Sequence, residues 1–194
     1  MTRSEEVKLI HAAKEGDGNA IAALIRAHQE ALYAFILRMS GRPELAEDVV
    51  QEAFVRVLKN LHRFDTRFRF STWLFTIAKR LYVNLVQKHQ PAYDTDGIGL
   101  REGNGPSPGR QTEEAETLDN VRDVLDVALA DLSEQQREII LLFHQQNWPI
   151  LEIAAHLDMP EGTVKSHLHR ARKRLRRVIE SNRRLLVHAE EAWT

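Results

Sequence analysis

Near the C-terminal end of this 194-residue chain, one short stretch gathers side chains that can bind nucleic-acid bases and phosphates. Taken as a helix opening at Gly162-Thr163-Val164, it carries Ser166, His169, Arg170, Lys173 and Arg177 on one face, flanked by Lys165 and Arg176. Lys165 can donate to guanine O6 and N7, and the Ser166 hydroxyl can donate or accept. With His169 they form a set suited to base edges in a major groove. Thr163 adds a hydroxyl at the helix N-terminus, where free N–H groups and the positive dipole end favour a phosphate. Arg170, Arg172, Lys173, Arg174, Arg176 and Arg177 supply phosphate contacts, which make binding salt-dependent. The plainer alternative is a solvated basic face with no ligand. His167 and His169 do not read as a metal pair. Two apart on a helix, they point to different sides, and no carboxylate joins them.

A second stretch interleaves aromatics with cations: Phe64, Phe68, Phe70, Trp73, Phe75 and Tyr82 among Arg63, Arg67, Arg69, Lys79 and Arg80. Rings stack unpaired bases at about 1–3 kcal/mol each while cations hold the backbone, so the pattern suits single-stranded nucleic acid. Core packing competes for the same rings, and is the expectation for Trp73 and Phe75. A third group, Asp48, Gln51 and Glu52, shares the polar side of a helix, with Arg56 one turn on. From the residues alone, solvent face and docking to a partner helix remain equally open. Chemistry of other kinds finds little support. Without Cys there is no thiolate nucleophile, disulfide or thiolate zinc site. No cofactor or metal set is apparent, and the best enzyme constellation, Asp48 and Glu52 with His62, is weak.

These groups need helices to position them. Ile150, Ile153, Ala154 and Leu157 make a short apolar face, Asp158-Met159-Pro160 breaks it, and Val164, Leu168, Ala171 and Leu175 form the inward stripe of the basic helix. A short helix, tight turn and second helix with a basic outer face is the helix-turn-helix pattern. Upstream, Ile21, Leu24, Ile25, His28, Leu32, Phe35 and Ile36 recur at helical spacing. Pro43 suits a first helical position before the stripe Leu45, Val49, Val50, Ala53, Val57 and Leu58. Ser71 is a candidate N-cap, and Ser133-Glu134-Gln135-Gln136 has capping-box spacing. The reading is all-α, with two small helical domains.

Five of nine Gly and three of six Pro fall between Gln90 and Arg110, too many breakers for a loop inside one compact unit, so that window reads as a flexible linker. The expected divisions are 1–90, a linker over 91–120, a second domain over 121–180 and a tail over 181–194. The formal net charge of −1 hides segregation: +4 over 1–90, −5 over 91–120 and zero over 121–194, the last containing +8 over 165–184. No run of about 18 apolar residues is present and the N-terminus lacks a signal peptide's apolar stretch, so a soluble cytoplasmic protein with no direct membrane insertion is expected.

Together the motifs resemble a bacterial sigma factor of the extracytoplasmic-function (ECF) type, the small members of the sigma-70 family. Asp48-Val49-Val50-Gln51-Glu52-Ala53-Phe54 looks like the family's region 2.2. Phe70-Ser71-Thr72-Trp73-Leu74 with Ile77-Ala78-Lys79-Arg80 looks like regions 2.3 and 2.4. Glu152-Ile153-Ala154 with Leu157, then Gly162-Thr163-Val164-Lys165-Ser166 through Arg172, looks like region 4.2. The resemblance spans roughly 15–90 (region 2) and 121–180 (region 4). It implies a sigma factor that binds core RNA polymerase and directs promoter-specific initiation, with no covalent chemistry of its own. By position, Asp48, Gln51, Glu52 and Arg56 would dock on the beta-prime coiled coil, and region 4 on the beta flap. The loop from about Asn60 to Arg69, with Phe64, Arg67 and Arg69, would hold a base flipped from the minus-10 element. Lys79, Arg80 and Asn84 would face that strand and the upstream duplex edge. Thr163, Lys165, Ser166, His169, Arg170 and Lys173 fall where the family meets the minus-35 element. The acidic linker would mimic RNA in polymerase channels, and an anti-sigma factor is an expected partner. Arg80 and Asn84 depart from residues frequent in the family, and His169 stands where some relatives carry an aromatic. The alternative from the motifs is a self-sufficient helix-turn-helix regulator.

Overall fold

The structure, a computed structural model, describes residues 1–89 and 123–192, with side chains to residue 88 and from 123 to 181. The expected linker over 91–120 lies outside the described residues. In chain order the helices are α1 (Arg3–Lys14), α2 (Gly18–Ser40), α3 (Pro43–Asn60), a 3-10 turn (Leu61–Arg63) and α4 (Phe70–His89). After the undescribed residues come α5 (123–130), α6 (Glu134–Ile140) running on as a π turn (Leu141–Gln145), α7 (Ile150–Leu157) and α8 (Glu161–Ala192). Among the described residues there is no strand, in keeping with the all-α expectation.

Local chemistry sets most of the helix ends. Thr2 and Glu5 form a reciprocal capping box that starts α1, an element the apolar spacing did not reveal. Asp17 Oδ1 accepts from the Asn19 and Ala20 amides to start α2. Gly41 closes α2 at φ 66°, where a side chain would be strained, and its N–H donates to Leu37 O at 2.7 Å. Pro43 stands at the start of α3 and Ser133 and Gln136 cap α6 reciprocally, both as expected. Ser71 does not cap α4. The helix already begins at Phe70, which places Ser71 inside the first turn. The basic helix α8 continues unbroken through Ala192, past the end expected for its domain at residue 180.

α2, α3 and α4 enclose a core that includes Leu24, Phe35, Val49, Ala53, Leu74 and Phe75, and α1 lays Ile10 and Ala13 against it. Leu129, Ile139, Leu142, Ile153, Val164 and Leu168 form the interior of α5–α8. The two groups of helices meet. Trp148, almost fully buried, sets its ring 5.8 Å from that of Phe75 on α4. The buried Arg137 donates to Leu129 O (2.8 Å) and Ala130 O (3.1 Å) in its own group, and to Met39 O (3.1 Å) at the end of α2. The Tyr82 hydroxyl donates to the same Met39 carbonyl at 3.3 Å. α2 is long and apolar enough to cross a membrane by length and composition. Its Leu24, Leu32, Phe35, Ile36 and Met39 are buried in the core, so its apolarity is accounted for as that of a central packing helix.

Candidate nucleic-acid interface

The turn between α7 and α8 is built by two backbone devices. Asp158 ends α7 in the left-handed region at φ 51° with its N–H on Ala154 O, and Pro160 O then accepts from the Thr163 and Val164 amides to start α8. Val164, Leu168 and Ala171 are buried and Leu175 half-buried, as the apolar stripe required. The opposite face is open. Lys165, Ser166, His169, Arg170 and Lys173 are all exposed, and Thr163 is half-buried at the helix start. Lys165 lies 3.5 Å from Glu161, an exposed i,i+4 pair that competes weakly with a ligand. The Ser166 hydroxyl donates to Gly162 O at 2.9 Å and remains able to accept. Arg170 Nε donates to Ser166 O at 3.3 Å.

Not every cation on α8 is equally available. Arg174 pairs with Asp131 through two of its guanidinium nitrogens, Nε and Nη2, and this pairing holds the Asp131 carboxyl below its ordinary range. Arg172 lies 5.1 Å over the Phe143 ring and its Nε faces His144 at 3.1 Å. The π turn swings Phe143 and His144 outward to meet Arg172 while Leu141 and Leu142 go inward. Burial first, then the Arg172 charge, keep the His144 pKa below the usual value. Arg170, Lys173, Arg176 and Arg177 also border a groove of about 600 Å³ beside Gln136 of α6, a concentration of positive charge along one wall.

The aromatic stretch builds a cavity of about 490 Å³ beside the loop that follows the 3-10 turn. Phe64, Phe68, Arg69, Thr72 and Trp73 line it, with Asn60, Arg63, Asp65 and Ile77. Phe64 is buried and stacks on Trp73, rings 4.8 Å apart and 22° from parallel, with the Phe70 edge at 5.7 Å. Phe75 is core, as expected. Trp73, half-buried, packs against the core and also forms cavity wall. Phe68 is 65% exposed at the cavity and was not singled out in the sequence beyond its place in the aromatic run. Arg67 is not a lining residue. It folds back on Asp65 at 2.6 Å, and this pairing lowers the Asp65 pKa.

Lys79, Arg80 and Asn84 lie further along α4, away from the cavity lining. Arg80 and Asn84 are exposed. Lys79 instead joins a polar seam between α4 and the second group of helices. It pairs at very short range with Glu138, whose side chain is only 2% exposed. His156 Nε2 lies 3.4 Å from the other Glu138 oxygen without hydrogen-bond geometry, and His156 Nδ1 meets the Thr76 hydroxyl at 3.0 Å. Thr72 donates to Glu152 at 3.1 Å, and Arg69 lies 3.5 Å from the same carboxylate. Thr72, Thr76 and Lys79 thus form one face of α4, extended by Arg69 just before it, and in this arrangement three side chains of α6 and α7 cover it.

Asp48 and Gln51 are exposed on α3, opposite the buried Val49, Ala53 and Val57. Glu52 pairs with Arg56 at 2.6 Å, and Arg56 O accepts from Asn60 at 2.9 Å. The polar patch is a continuous face that no other described element covers.

Comparison with known proteins bears on all three faces. Residues 24–91 match the family model for Sigma-70 region 2, and residues 122–175 that for Sigma-70, region 4. The chain is 32% identical over 176 residues to the ECF RNA polymerase sigma factor SigW of Bacillus subtilis, covering 88% of this chain and 94% of that one. It is 34% identical over 175 residues to the ECF RNA polymerase sigma factor SigL of Mycobacterium tuberculosis, covering 85% and 94%. Among solved structures it is similar to the sigma factor RpoE in complex with the anti-sigma factor NepR from Bartonella quintana, at TM-score 0.65 and 25% identity over 82% of this chain and 96% of that one. CnrH, solved with the cytosolic domain of CnrY, shares the fold at TM-score 0.65 and 24% identity over 89% and 96%.

Proposed function

The chain belongs to the sigma-70 family, as an ECF sigma factor that directs promoter-specific transcription initiation by RNA polymerase, and from that premise we propose how its three faces divide the work. The faces lie on two domains, 1–90 and 121–180, joined by the acidic stretch 91–120. The open face of α3, with Asp48, Gln51, Glu52 and Arg56, docks on core polymerase at the beta-prime coiled coil, and the second domain docks on the beta flap. α8 enters the major groove of the minus-35 element. Thr163 and Arg170 hold phosphates there, Lys165, Ser166 and His169 reach base edges, and Lys173 extends the phosphate track. The cavity of Phe64, Phe68, Arg69 and Trp73 takes a base flipped from the minus-10 element, with Arg67, Lys79, Arg80 and Asn84 along the displaced strand.

The observation that carries this reading is the pairing of an open basic recognition face with an aromatic-walled cavity on the same chain. Duplex opening costs a few kcal/mol per unstacked base, and a preformed pocket offsets it. No covalent step is required, so the chain acts as a binding subunit and not as an enzyme. It works where polymerase works, in the cytoplasm. The α4 seam implies that promoter binding and the closed arrangement exclude each other, because Glu138 and Glu152 occupy cations the DNA strand needs. An anti-sigma factor would favour the closed state or cover the α3 face.

In vitro transcription with core polymerase over a promoter library tests the whole reading. Lys165→Ala lowers minus-35-dependent initiation and leaves core binding intact, while Gln51→Ala with Glu52→Ala weakens co-elution with core. Equal loss for Lys165→Ala on a promoter lacking the minus-35 element would remove Lys165 as a base reader.

A further inference from the structure

α1 lies upstream of the stretch that matches the region 2 model, and nothing in the sequence motifs gives it a role. Its apolar face, Ile10 and Ala13, explains why it packs but not why its cations point where they do. Arg3 Nη2 donates to Thr66 O at 2.7 Å and also to Phe68 O at very short range. Lys14 Nζ, from the other end of the helix, donates to Phe64 O at 2.7 Å. Three carbonyls of the cavity loop, at alternate positions 64, 66 and 68, are therefore held from one side by a single helix. Arg3 is itself oriented by Glu6, with Nη1 2.6 Å from Oε2, and His28 Nε2 stands 3.3 Å from the other Glu6 oxygen. The His28 ring in turn lies 5.1 Å from the Phe70 ring beneath the loop.

Such contacts fix backbone, not side chains. A loop of this length keeps one shape only if its carbonyls have partners, since the alternative conformers are entropically favoured. The remaining hydrogen bonds described for the loop are local ones: the Phe64 amide donates to Leu61 O at 3.0 Å, Asp65 accepts from the Arg67 amide and side chain, and the Phe68 amide donates to Asp65 O. These curl the tip without anchoring it. The anchors are Arg3 and Lys14. They set the position of Phe64 in the cavity wall and of Phe68 at its exposed rim.

We infer that Arg3 and Lys14 are positioning residues for base capture, the α1 helix acting as a clamp that holds the 64–68 loop in the shape that receives the minus-10 base. The inference rests on the base-pocket reading above. Pre-organisation of the loop removes an ordering cost from the binding step, so loss of the clamp reduces capture without touching either the polymerase face or the recognition helix.

The test uses holoenzyme assembled from the full chain and core polymerase, on promoter duplexes with 2-aminopurine placed at one minus-10 position at a time. With the unaltered chain, fluorescence rises at the position that is flipped. Lys14→Ala, which removes one charge-assisted hydrogen bond, lowers that signal on the order of tenfold, and Arg3→Ala, which removes two, lowers it at least as much. Arg3→Lys and Lys14→Arg restore much of it, and core binding is unchanged. In the free protein, amide exchange at 64–69 speeds up in both Ala variants. Lys14→Ala leaves the Thr2–Glu5 cap and the Arg3–Glu6 pair in place, so it decides the matter if Arg3→Ala unseats all of α1. Loop amides that exchange no faster overturn the clamp. Faster loop exchange with undiminished base capture overturns its role in positioning. A wild-type holoenzyme that flips no base at any position removes the pocket reading and this inference with it.

Discussion

Replacing Lys79 by Ala should loosen the packing of the second domain on α4 more than replacing Glu138 by Gln, although the two residues face each other. The asymmetry comes from burial. Glu138 is 2% exposed and Lys79 is 28% exposed. Without its charge, Lys79→Ala leaves a carboxylate that cannot reach water and has only the misdirected His156 beside it. Removing one partner of a fully buried pair costs about 3–5 kcal/mol, and the partial exposure of Lys79 reduces this to roughly 2–3 kcal/mol. In Glu138→Gln the amide still accepts from Lys79, and only the charge-assisted part of the bond is lost, about 1 kcal/mol. On those figures the closed arrangement weakens roughly 30- to 150-fold in the first variant and about fivefold in the second. The chain has no native Cys, so donor and acceptor dyes can be placed uniquely at Lys59→Cys and Glu180→Cys, both exposed. Energy transfer is followed through a mild urea series that brings opening into range. The double variant should resemble Glu138→Gln alone, because the stranded carboxylate has gone. Equal single-variant effects, or a strictly additive double variant, would refute the argument that an unpaired buried carboxylate sets the cost.

Three further outcomes follow from named contacts. Arg137→Ala deprives the Leu129, Ala130 and Met39 carbonyls of a buried donor and should cost about 2–4 kcal/mol in chemical denaturation, with no such loss for the exposed Arg80→Ala. The Glu6 carboxyl is held below its ordinary pKa of 4.5 by the His28 contact first and by Arg3 next, against a burial effect of opposite sign. Its stabilisation is thus complete above the unfolded value and lost as pH falls through the lower folded one. Protection factors of the amides in 3–14, taken relative to the intrinsic exchange rate at each pH, should therefore fall on acidification, and Glu6→Gln should flatten that dependence. On a minus-35 duplex with the free chain, log affinity should fall with log salt at a slope of about −3 to −4, since Arg170, Lys173 and Arg176 remain for phosphate with Arg177, only loosely held 4.0 Å from Asp131, once Arg172 and Arg174 are engaged internally. A slope of about −5 or steeper would mean that those two let go of Phe143 and Asp131 on binding.

What was legible in the sequence was what local physics decides. Pro43, the Ser133–Gln136 box and the stripe Val164, Leu168, Ala171 act within one or two turns, and each stands where its spacing placed it. The basic face of α8 was legible for the same reason, being the complement of that stripe. Ser71 failed as a cap because packing of Phe70 under Phe64 and Trp73 draws the helix two residues further back than capping preference alone would. α1 was missed even though Thr2-x-x-Glu5 carries the capping-box signal, because two apolar anchors make a weak period. Its clamp could not have been read at all. Arg3 and Lys14 donate to backbone carbonyls fifty or more residues away, and a carbonyl has no sequence identity. Glu138, Glu152 and His156 likewise pass for solvent-facing polar residues until the fold sets them against α4.

The composition of that seam fits a contact that must part. The apolar share includes Phe75 against Trp148, and the loss of that ring pair to water opposes opening by a few kcal/mol. The remainder is polar: the Thr72, Thr76 and Gln146 hydrogen bonds, and charge on charge at Lys79–Glu138 and Arg69–Glu152, and charge can be exchanged. On the proposed reading, a promoter strand would offer Lys79 and Arg69 phosphates in place of the carboxylates of Glu138 and Glu152, while those carboxylates would regain water. The cations lose little in the exchange, so the net cost of opening falls mainly on the rings and on the Arg137 link to Met39. Polymerase can meet that cost by holding the two domains apart on separate docking sites, where each weak DNA contact then acts at high effective concentration. A seam built only from apolar side chains would have no such exchange available, and the same docking would have to offset its full burial.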